Sequence, residues 1–167
     1  MARVLVQPQA FDVAQELSRL NQGRTDIGGI GLFLGVVRGE AKGRPITAMT
    51  LEHYPAMTGP ALERIAEAAE AGWPLSGCTV IHRIGRLLPG DQIVLVATAS
   101  AHRAAALEAC AFLIDWLKTR APFWKHEEFA DGTGGWVEAR EEDQAAAARW
   151  QTGGEVLPRL AAGLLPR

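Results

Sequence analysis

The sequence predicts an α+β fold in which helices pack on a largely antiparallel sheet. Two pairs of apolar runs are each separated by a short glycine-containing turn, which is typical of antiparallel hairpins. Two segments with apolar residues at helical spacing follow, one after each pair. An extended run at 123–129 and a short helix at about 141–150 complete the order. Paired strands followed by single helices indicate an α+β domain.

The first pair of strands is predicted at Ile27–Val37 and Ile46–His53. The first run is apolar and rich in glycine, and the second alternates apolar and polar residues, so both have strand character. The connection at 39–45 is short and polar, and an antiparallel hairpin is the simplest arrangement. Arg38 then lies at a strand end.

The first helix is predicted to begin at Thr58, which can act as its N-cap, with Pro60 in the first turn. An apolar stripe follows at helical spacing, and Trp73-Pro74 ends the helix. We interpret it as a scaffold helix.

The second hairpin is predicted from Cys78–Ile84 and Gln92–Ala99, which are joined by a Pro-Gly-Asp turn. A long helix capped by Ser100 follows. It ends before Pro122, because a residue that precedes proline avoids helical geometry.

Length and composition indicate one domain, which we predict to span residues 1–150, followed by a C-terminal tail at 151–167. The chain has 167 residues, of which 48% are hydrophobic and 22% charged, so wholesale disorder is excluded. A net charge of −2 argues against binding to nucleic acid or an anionic membrane by bulk electrostatics. No apolar segment approaches 18 residues, and the cytoplasm is the expected compartment.

A candidate anion site lies at the start of the long helix, where His102 and Arg103 occupy the first turn. A helix N-terminus is already positive, so a cation there is unfavourable unless an anion binds nearby. Local conflicts of this kind are enriched at functional sites. The alternative is an exposed, hydrated arginine beside an incidental histidine.

A second basic cluster contains Lys118 and Lys125, with Phe123 and Trp124 between them. A lysine amine that lies close to another cation and is partly desolvated can lose its proton near neutral pH and act as a nucleophile or general base. The alternative is structural, because a cation in the last turn of a helix complements the helix dipole.

Other reactive residue types are predicted to be structural. His53 and His82 lie in strands without a second ligand at suitable spacing, and no metal site or cofactor motif is predicted. Cys78 and Cys110 lack the spacing of a zinc or disulfide framework and are expected to be buried. Acyl transfer through either thiol is a weak alternative, because neither has a sequence cue for stabilisation of the thiolate.

Five long motifs in register resemble the family of large, catalytic subunits of molybdopterin synthase. They are LEHYPAMT (51–58), VIHRIGRLLPGD (80–91), SAHRAA (100–105), LKTRAPFWKHE (117–127) and WVEAR (136–140). The resemblance spans about residues 3–150. It implies an α/β hammerhead with an added β-rich part, which agrees with the predicted element order.

The same resemblance implies an activity and partners. The family converts cyclic pyranopterin monophosphate into molybdopterin by installing two sulfur atoms as a dithiolene. Sulfur arrives on a small ubiquitin-like partner that ends in a Gly-Gly thiocarboxylate, and two large subunits form the centre of a heterotetramer. The implied catalytic residues are Lys118 and Lys125, and the implied substrate-binding residues are Arg38, His102, Arg103 and Arg140.

Helix geometry adds a constraint on this site. If one helix joins His102 to Lys118, their backbones are about 24 Å apart at 1.5 Å per residue. Either the helix breaks, or each pocket takes these residues from different subunits of a homodimer, which is the interpretation we favour. A binding module that holds an anionic metabolite or a partner's carboxylate without chemistry is the alternative function.

Overall fold

A computed structural model describes residues 1–138 and 141–152 of the chain. Its elements in chain order are β1 (Arg3–Gln7), α1 (Val13–Asn21), β2 (Gly29–Val36), β3 (Glu40–Ala41), β4 (Arg44–His53), α2 (Pro55–Gly72), β5 (Leu75–Arg83), β6 (Gly85–Leu87), β7 (Gln92–Ser100), α3 (Arg103–Arg120), β8 (Phe123–Phe129), β9 (Gly134–Trp136) and α4 (Glu141–Thr152). The predicted α+β class is confirmed. The division into a domain at 1–150 and a tail stays a prediction, because residues 153–167 lie outside the described residues.

The strands form two sheets. The first has the order β1-β5-β7-β2, with β1 parallel to β5 and the other pairs antiparallel. The second has the order β3-β4-β8-β9, with β6 also paired to β4. Helices α2 and α3 bury their apolar residues against the first sheet, and this core includes Leu62, Ile65, Val80, Val96, Leu113 and Trp116. Burial of these side chains supplies the main driving force for folding.

The predicted hairpin between the first two long strands is wrong. β2 pairs with β7 of the first sheet, whereas β4 pairs with β8 of the second. The chain after β2 is held by the turn between β6 and β7: the Val37 amide donates to the Asp91 carbonyl, and the Gly90 amide donates to the Val37 carbonyl. These tertiary hydrogen bonds override the local preference for a hairpin. The second hairpin is confirmed, since β5 and β7 pair antiparallel.

Two N-terminal elements, β1 and α1, have no counterpart in the prediction. β1 pairs with β5, with Arg3 opposite Thr79. α1 lies over the sheet through a buried Glu16, whose carboxylate accepts a hydrogen bond from the Arg3 Nε at 3.1 Å. β1 contains a short apolar run, and α1 carries Val13, Leu17 and Leu20 at helical spacing, so the sequence held a signal for both elements that the prediction missed.

Both predicted helix caps are wrong, although both helix ends are confirmed. α2 begins at Pro55, and Thr58 lies inside it with its hydroxyl donating to the Tyr54 carbonyl at 3.0 Å. Ser100 ends β7 and its hydroxyl donates to the Pro74 carbonyl, so His102 takes the N-cap position of α3 without a side-chain capping bond. The N-cap residue of α3 is therefore a histidine rather than the predicted serine.

Close packing of β2 on α3 depends on Gly31. A Cβ at this position would lie 2.5 Å from the Ala106 carbonyl oxygen, which also accepts a hydrogen bond from the Thr98 hydroxyl at 2.6 Å. We expect Gly31→Ala to lower the free energy of unfolding by about 1–3 kcal/mol, because the backbone must move apart to admit the methyl group. Urea denaturation measures this. Gly39→Ala is the matched control, since no atom lies within 4 Å of a Cβ there; equal stabilities of the two variants would contradict the packing argument.

Candidate active site

A cleft of about 510 Å³ opens where the end of α3 meets the second sheet. Its ionisable lining residues are Arg38, His82, Lys118, Lys125, Glu127, Glu138 and Asp143. Three cations predicted from the sequence, Arg38, Lys118 and Lys125, therefore share one cavity. Apolar residues from β2 and α3 form much of the remaining wall, so charges in the cleft are partly shielded from water.

Three different elements position these cations. Arg38 follows the buried Val37, which the turn before β7 holds by two backbone hydrogen bonds. Lys118 lies in the last turn of α3, where a cation is favourable. Lys125 lies in β8 opposite Leu51 of β4, and the alternation of the strand directs it to the face opposite the exposed Trp124. Lys118 and Lys125 thus lie in regular elements, and Arg38 follows a residue that two backbone hydrogen bonds hold in place.

Lys118 is paired with an acidic residue of α4. Its Nζ lies 3.5 Å from the Asp143 Oδ1, and the two side chains retain 48% and 26% of their exposure. A partly exposed ion pair of this kind contributes about 0–1 kcal/mol. Both side chains line the cleft, so the pair holds Lys118 at the cleft and stabilises the fold little.

His102 and Arg103 lie away from this cleft. α3 is one continuous helix from Arg103 to Arg120, so both residues occupy the opposite end from Lys118, and both are exposed. The structure of one chain therefore brings together three of the predicted site residues and leaves these two apart. Arg140, the sixth, lies outside the described residues.

Comparison with known proteins decides the family. The sequence profile of the family described as MoaE protein matches residues 6–120. The chain belongs to the MoaE family. The molybdopterin synthase catalytic subunit of Mesorhizobium japonicum is 53% identical over 153 residues, which cover 91% of this chain and 95% of that protein. The profile match and this relative confirm the family predicted from the five motifs.

Solved structures of MoaE proteins share the fold. The molybdopterin biosynthesis MoaE protein from Burkholderia ambifaria MC40-6 is 46% identical and superposes with a TM-score of 0.77, over 92% of this chain and 100% of that one. A chain from the complex of subunits 1 and 2 of molybdopterin-converting factor from Helicobacter pylori 26695 has a TM-score of 0.64 at 22% identity, over 84% of this chain and 90% of that one. The second likeness is of fold alone.

His82 also lines the cleft of this MoaE-family chain, although the sequence predicted only a structural role for it. Its ring stacks on Phe123 with centroids 3.9 Å apart and an interplanar angle of 17°. Its Nδ1 lies 2.8 Å from the Arg83 carbonyl oxygen, an interaction in which the ring N–H donates. Burial lowers the pKa of His82 to about 4, and the charge of Lys125 adds to that effect. Only tertiary structure could show this, since β5 and β8 are distant in sequence.

The buried imidazole makes stability depend on pH. The folded-state pKa of His82 is about 4 against an ordinary value of 6.5, so the unfolded chain binds the proton more tightly. The contribution of neutral His82 to the free energy of unfolding is complete above about pH 6.5. It is lost as the pH falls toward 4, and the loss is up to roughly 3 kcal/mol.

His82→Gln should remove this contribution. Urea unfolding at several pH values between 4 and 7 should show that the stability difference between wild type and variant changes across this window. The control is His102→Gln, which replaces an exposed histidine and should leave the pH dependence of wild type in place. Parallel curves for wild type and His82→Gln would contradict the assignment.

Both thiols are buried, as predicted. Burial raises the pKa of Cys78 to about 12 and that of Cys110 to about 11, so each stays protonated at neutral pH. A protonated, inaccessible thiol is a poor nucleophile. The geometry therefore disfavours acyl transfer through cysteine.

No group of three His, Cys, Asp or Glu side chains within residues 1–138 and 141–152 is arranged to hold a metal ion. Over the same residues, no helix is both long enough and apolar enough to span a membrane.

Proposed function

We propose that this chain is the catalytic subunit of a cytoplasmic molybdopterin synthase. It transfers sulfur from a thiocarboxylated partner to cyclic pyranopterin monophosphate and so forms the molybdopterin dithiolene. The observation that supports this most strongly is the cleft that gathers Arg38, Lys118 and Lys125. It occurs in a chain that is 53% identical to a molybdopterin synthase catalytic subunit.

The cations of the cleft suit this chemistry. In each transfer, the carbon–sulfur bond of the thiocarboxylate breaks, a carbon–sulfur bond to the pterin forms, and a carbon–oxygen bond at the same pterin carbon breaks. The displaced oxygen leaves as water or remains on the phosphate of the substrate. Water supplies the oxygen that returns the carrier's tail to a carboxylate. Arg38 can hold an oxyanion of the substrate through paired N–H donors. Lys118 and Lys125 can stabilise the charge that develops on the carbonyl oxygen, or one of them can attack the carbonyl carbon.

The sulfur donor in this proposal is a small ubiquitin-like subunit with a C-terminal Gly-Gly thiocarboxylate. A diglycine tail has no side chains, so it can thread into a narrow cleft and bring its terminal carbonyl to the lysines. The resemblance carried by the five motifs supports this partner. In the assembly we propose, two copies of this chain form a central homodimer with one small subunit at each end.

The edge of the first sheet supports the homodimer. β2 is the edge strand, and Leu32 and Val36 on it are exposed large apolar residues. Leu107 of α3 is also exposed. It lies near this edge, because the carbonyl of the preceding residue, Ala106, lies against Gly31 of β2. An exposed apolar edge strand favours pairing with another strand. We propose that it pairs antiparallel with β2 of a second copy.

Such pairing would complete the anion site. Arg103 lies beside the start of β2, since a Cβ on Gly29 would be 3.4 Å from the Arg103 Cα, and Arg38 follows the end of the strand. A twofold axis through β2 places the start of one copy beside the end of the other. Eight strand residues span about 26 Å, and His102 and Lys118 are about 24 Å apart along α3. Because these lengths are similar, antiparallel pairing of β2 brings the start of α3 in one copy near the end of α3 in the other. His102 and Arg103 of the second copy would therefore reach the cleft that contains Lys118 of the first.

The edge-strand interface can be tested with Leu32→Asp. A charge at this position should disfavour β2 pairing and convert a dimer into a monomer, measured by sedimentation velocity. Leu88→Asp is the matched control, because Leu88 is similarly exposed but lies in the turn before β7. A Leu32→Asp chain that stays dimeric would contradict this interface.

The activity itself is tested by reconstitution. Purified chain is mixed with thiocarboxylated small subunit and cyclic pyranopterin monophosphate, and dithiolene product is measured. Product that depends on all three components supports the proposal. Binding of both without product, unchanged by Lys118→Ala, would instead support a module that only binds anions.

A further inference from the structure

Among the ionisable side chains that line the cleft, His82 differs from the others because burial keeps it neutral and it can accept a hydrogen bond. Arg38, Lys118 and Lys125 are donors only, whereas Glu127 and Asp143 are carboxylate acceptors. An imidazole on the floor of this cleft combines properties that none of the others has, because it accepts a hydrogen bond without adding charge.

One contact assigns the acceptor nitrogen of His82, and a second fixes the plane of its ring. The Nδ1 lies 2.8 Å from the Arg83 carbonyl oxygen, and a carbonyl can only accept, so the ring proton is on Nδ1. The stack on Phe123 at 3.9 Å fixes the plane of the ring. The Nε2 therefore keeps its lone pair. Because the side chain is 8% exposed and lines the cleft, its accessible part faces the site.

Strand geometry puts Lys125 on the same face of β8 as Phe123, on which this ring stacks. Phe123 and Lys125 are two residues apart on β8, so their side chains lie on the same face about 6.6 Å apart. His82 stacks on the first of them and is electrostatically coupled to the second. A second titratable group that affects the His82 pKa is His53 of β4, and the rings of His53 and Phe123 have centroids 6.4 Å apart.

A neutral acceptor beside Lys125 has a specific advantage. A carboxylate in this position would pair with the ammonium and reduce its attraction for an anionic substrate. An imidazolium would repel it. An imidazole that burial keeps neutral can direct the ammonium toward the reacting carbonyl without itself neutralising the ammonium charge.

We propose that His82 is a positioning residue for Lys125, whose ammonium donates a hydrogen bond to the His82 Nε2 and is thereby aimed into the cleft. This role depends on the proposed sulfur transfer, in which Lys125 acts on the thiocarboxylate carbonyl. His82 does not take the proton from Lys125 and does not contact the reacting atoms.

Two variants separate the acceptor from the packing role in the complex with the small subunit. His82→Phe keeps an aromatic ring against Phe123 but removes the acceptor, and His82→Gln keeps an acceptor. We expect His82→Phe to lower kcat for dithiolene formation at least 10-fold, with little change in KM. We expect His82→Gln to retain a large part of the wild-type kcat. Equal losses in the two variants, or full activity in His82→Phe, would overturn the proposal.

A double-mutant cycle tests whether the effect passes through Lys125. In a Lys125→Met background, the further change His82→Phe should cause less than about a 2-fold additional loss, because the positioned group is already absent. An additional loss as large as that in the wild-type background would show that His82 acts independently of Lys125.

Nuclear magnetic resonance tests the geometry without an activity assay. In the ¹⁵N-labelled chain, His82 should show a protonated Nδ1 and an unprotonated Nε2 at neutral pH, and Lys125→Met should raise the His82 pKa. The opposite tautomer, or a pKa unchanged by Lys125→Met, would refute the arrangement. If the wild-type complex forms no dithiolene, the proposed function is wrong. These spectra would still show whether Lys125 contacts the His82 Nε2.

Discussion

Replacing Lys118 by alanine is expected to lower dithiolene formation by at least about 100-fold, the range seen when one preorganised charge-stabilising donor is removed from an active site. Lys118 lies in the cleft with Arg38 and Lys125, and its partner Asp143 holds it at 3.5 Å without burying it. The amine is therefore available to substrate. Single-turnover assays with saturating thiocarboxylated partner separate this loss from weaker binding.

The matched control is Arg64→Ala, which removes an exposed cation from α2 outside the cleft and should retain wild-type activity. Lys118→Ala should also keep its thermal midpoint, because the pair with Asp143 is partly exposed and stabilises little. A Lys118→Ala complex that retains more than about a tenth of the activity would mean that Lys118 does not stabilise the transition state.

Mixed dimers should recover activity that each parent variant lacks. A His102→Ala/Arg103→Ala chain has an intact Lys118, and a Lys118→Ala chain has an intact His102 and Arg103. If each pocket takes its anion site from the partner, a mixed dimer contains one complete pocket and one doubly altered pocket. Random association of equal amounts makes half of the dimers mixed, so activity should return to about a quarter of wild type.

We expect this recovery of activity because α3 is continuous. The helix runs without interruption from Arg103 to Arg120, which excludes a bend that would bring both of its ends to one substrate. Verified mixed dimers that stay as inactive as their parents would contradict a shared pocket. Recovery that disappears with Leu32→Asp in both chains would in addition connect the pocket to the β2 edge.

Much of the fold could be predicted from local sequence. The second hairpin, the ends of α2 and α3, and the strand at 123–129 follow from turn residues, prolines and apolar periodicity, which act over a few positions. The first hairpin could not be predicted in this way. Its two strands lie in different sheets because Val37 bonds to Asp91 and Gly90, which are more than fifty positions away.

The candidate site shows the same division. The conflict at His102 and Arg103 and the lysines around Phe123 were visible in the sequence, as was the distance along α3 that separates them. The gathering of Arg38 with Lys118 and Lys125 is a product of the tertiary fold. His82 had no distinguishing signal, because a histidine in an apolar strand has the same pattern whether it packs or faces a cleft.

The sequence by itself determined the α+β class, the MoaE family and the identity of the basic residues, because turn chemistry, periodicity and long motifs are local properties. The tertiary structure alone decided which of these residues share a cleft and what protonation state His82 holds there. Burial and contacts between β5 and β8 set that state, and these depend on strands that meet only after the chain has folded.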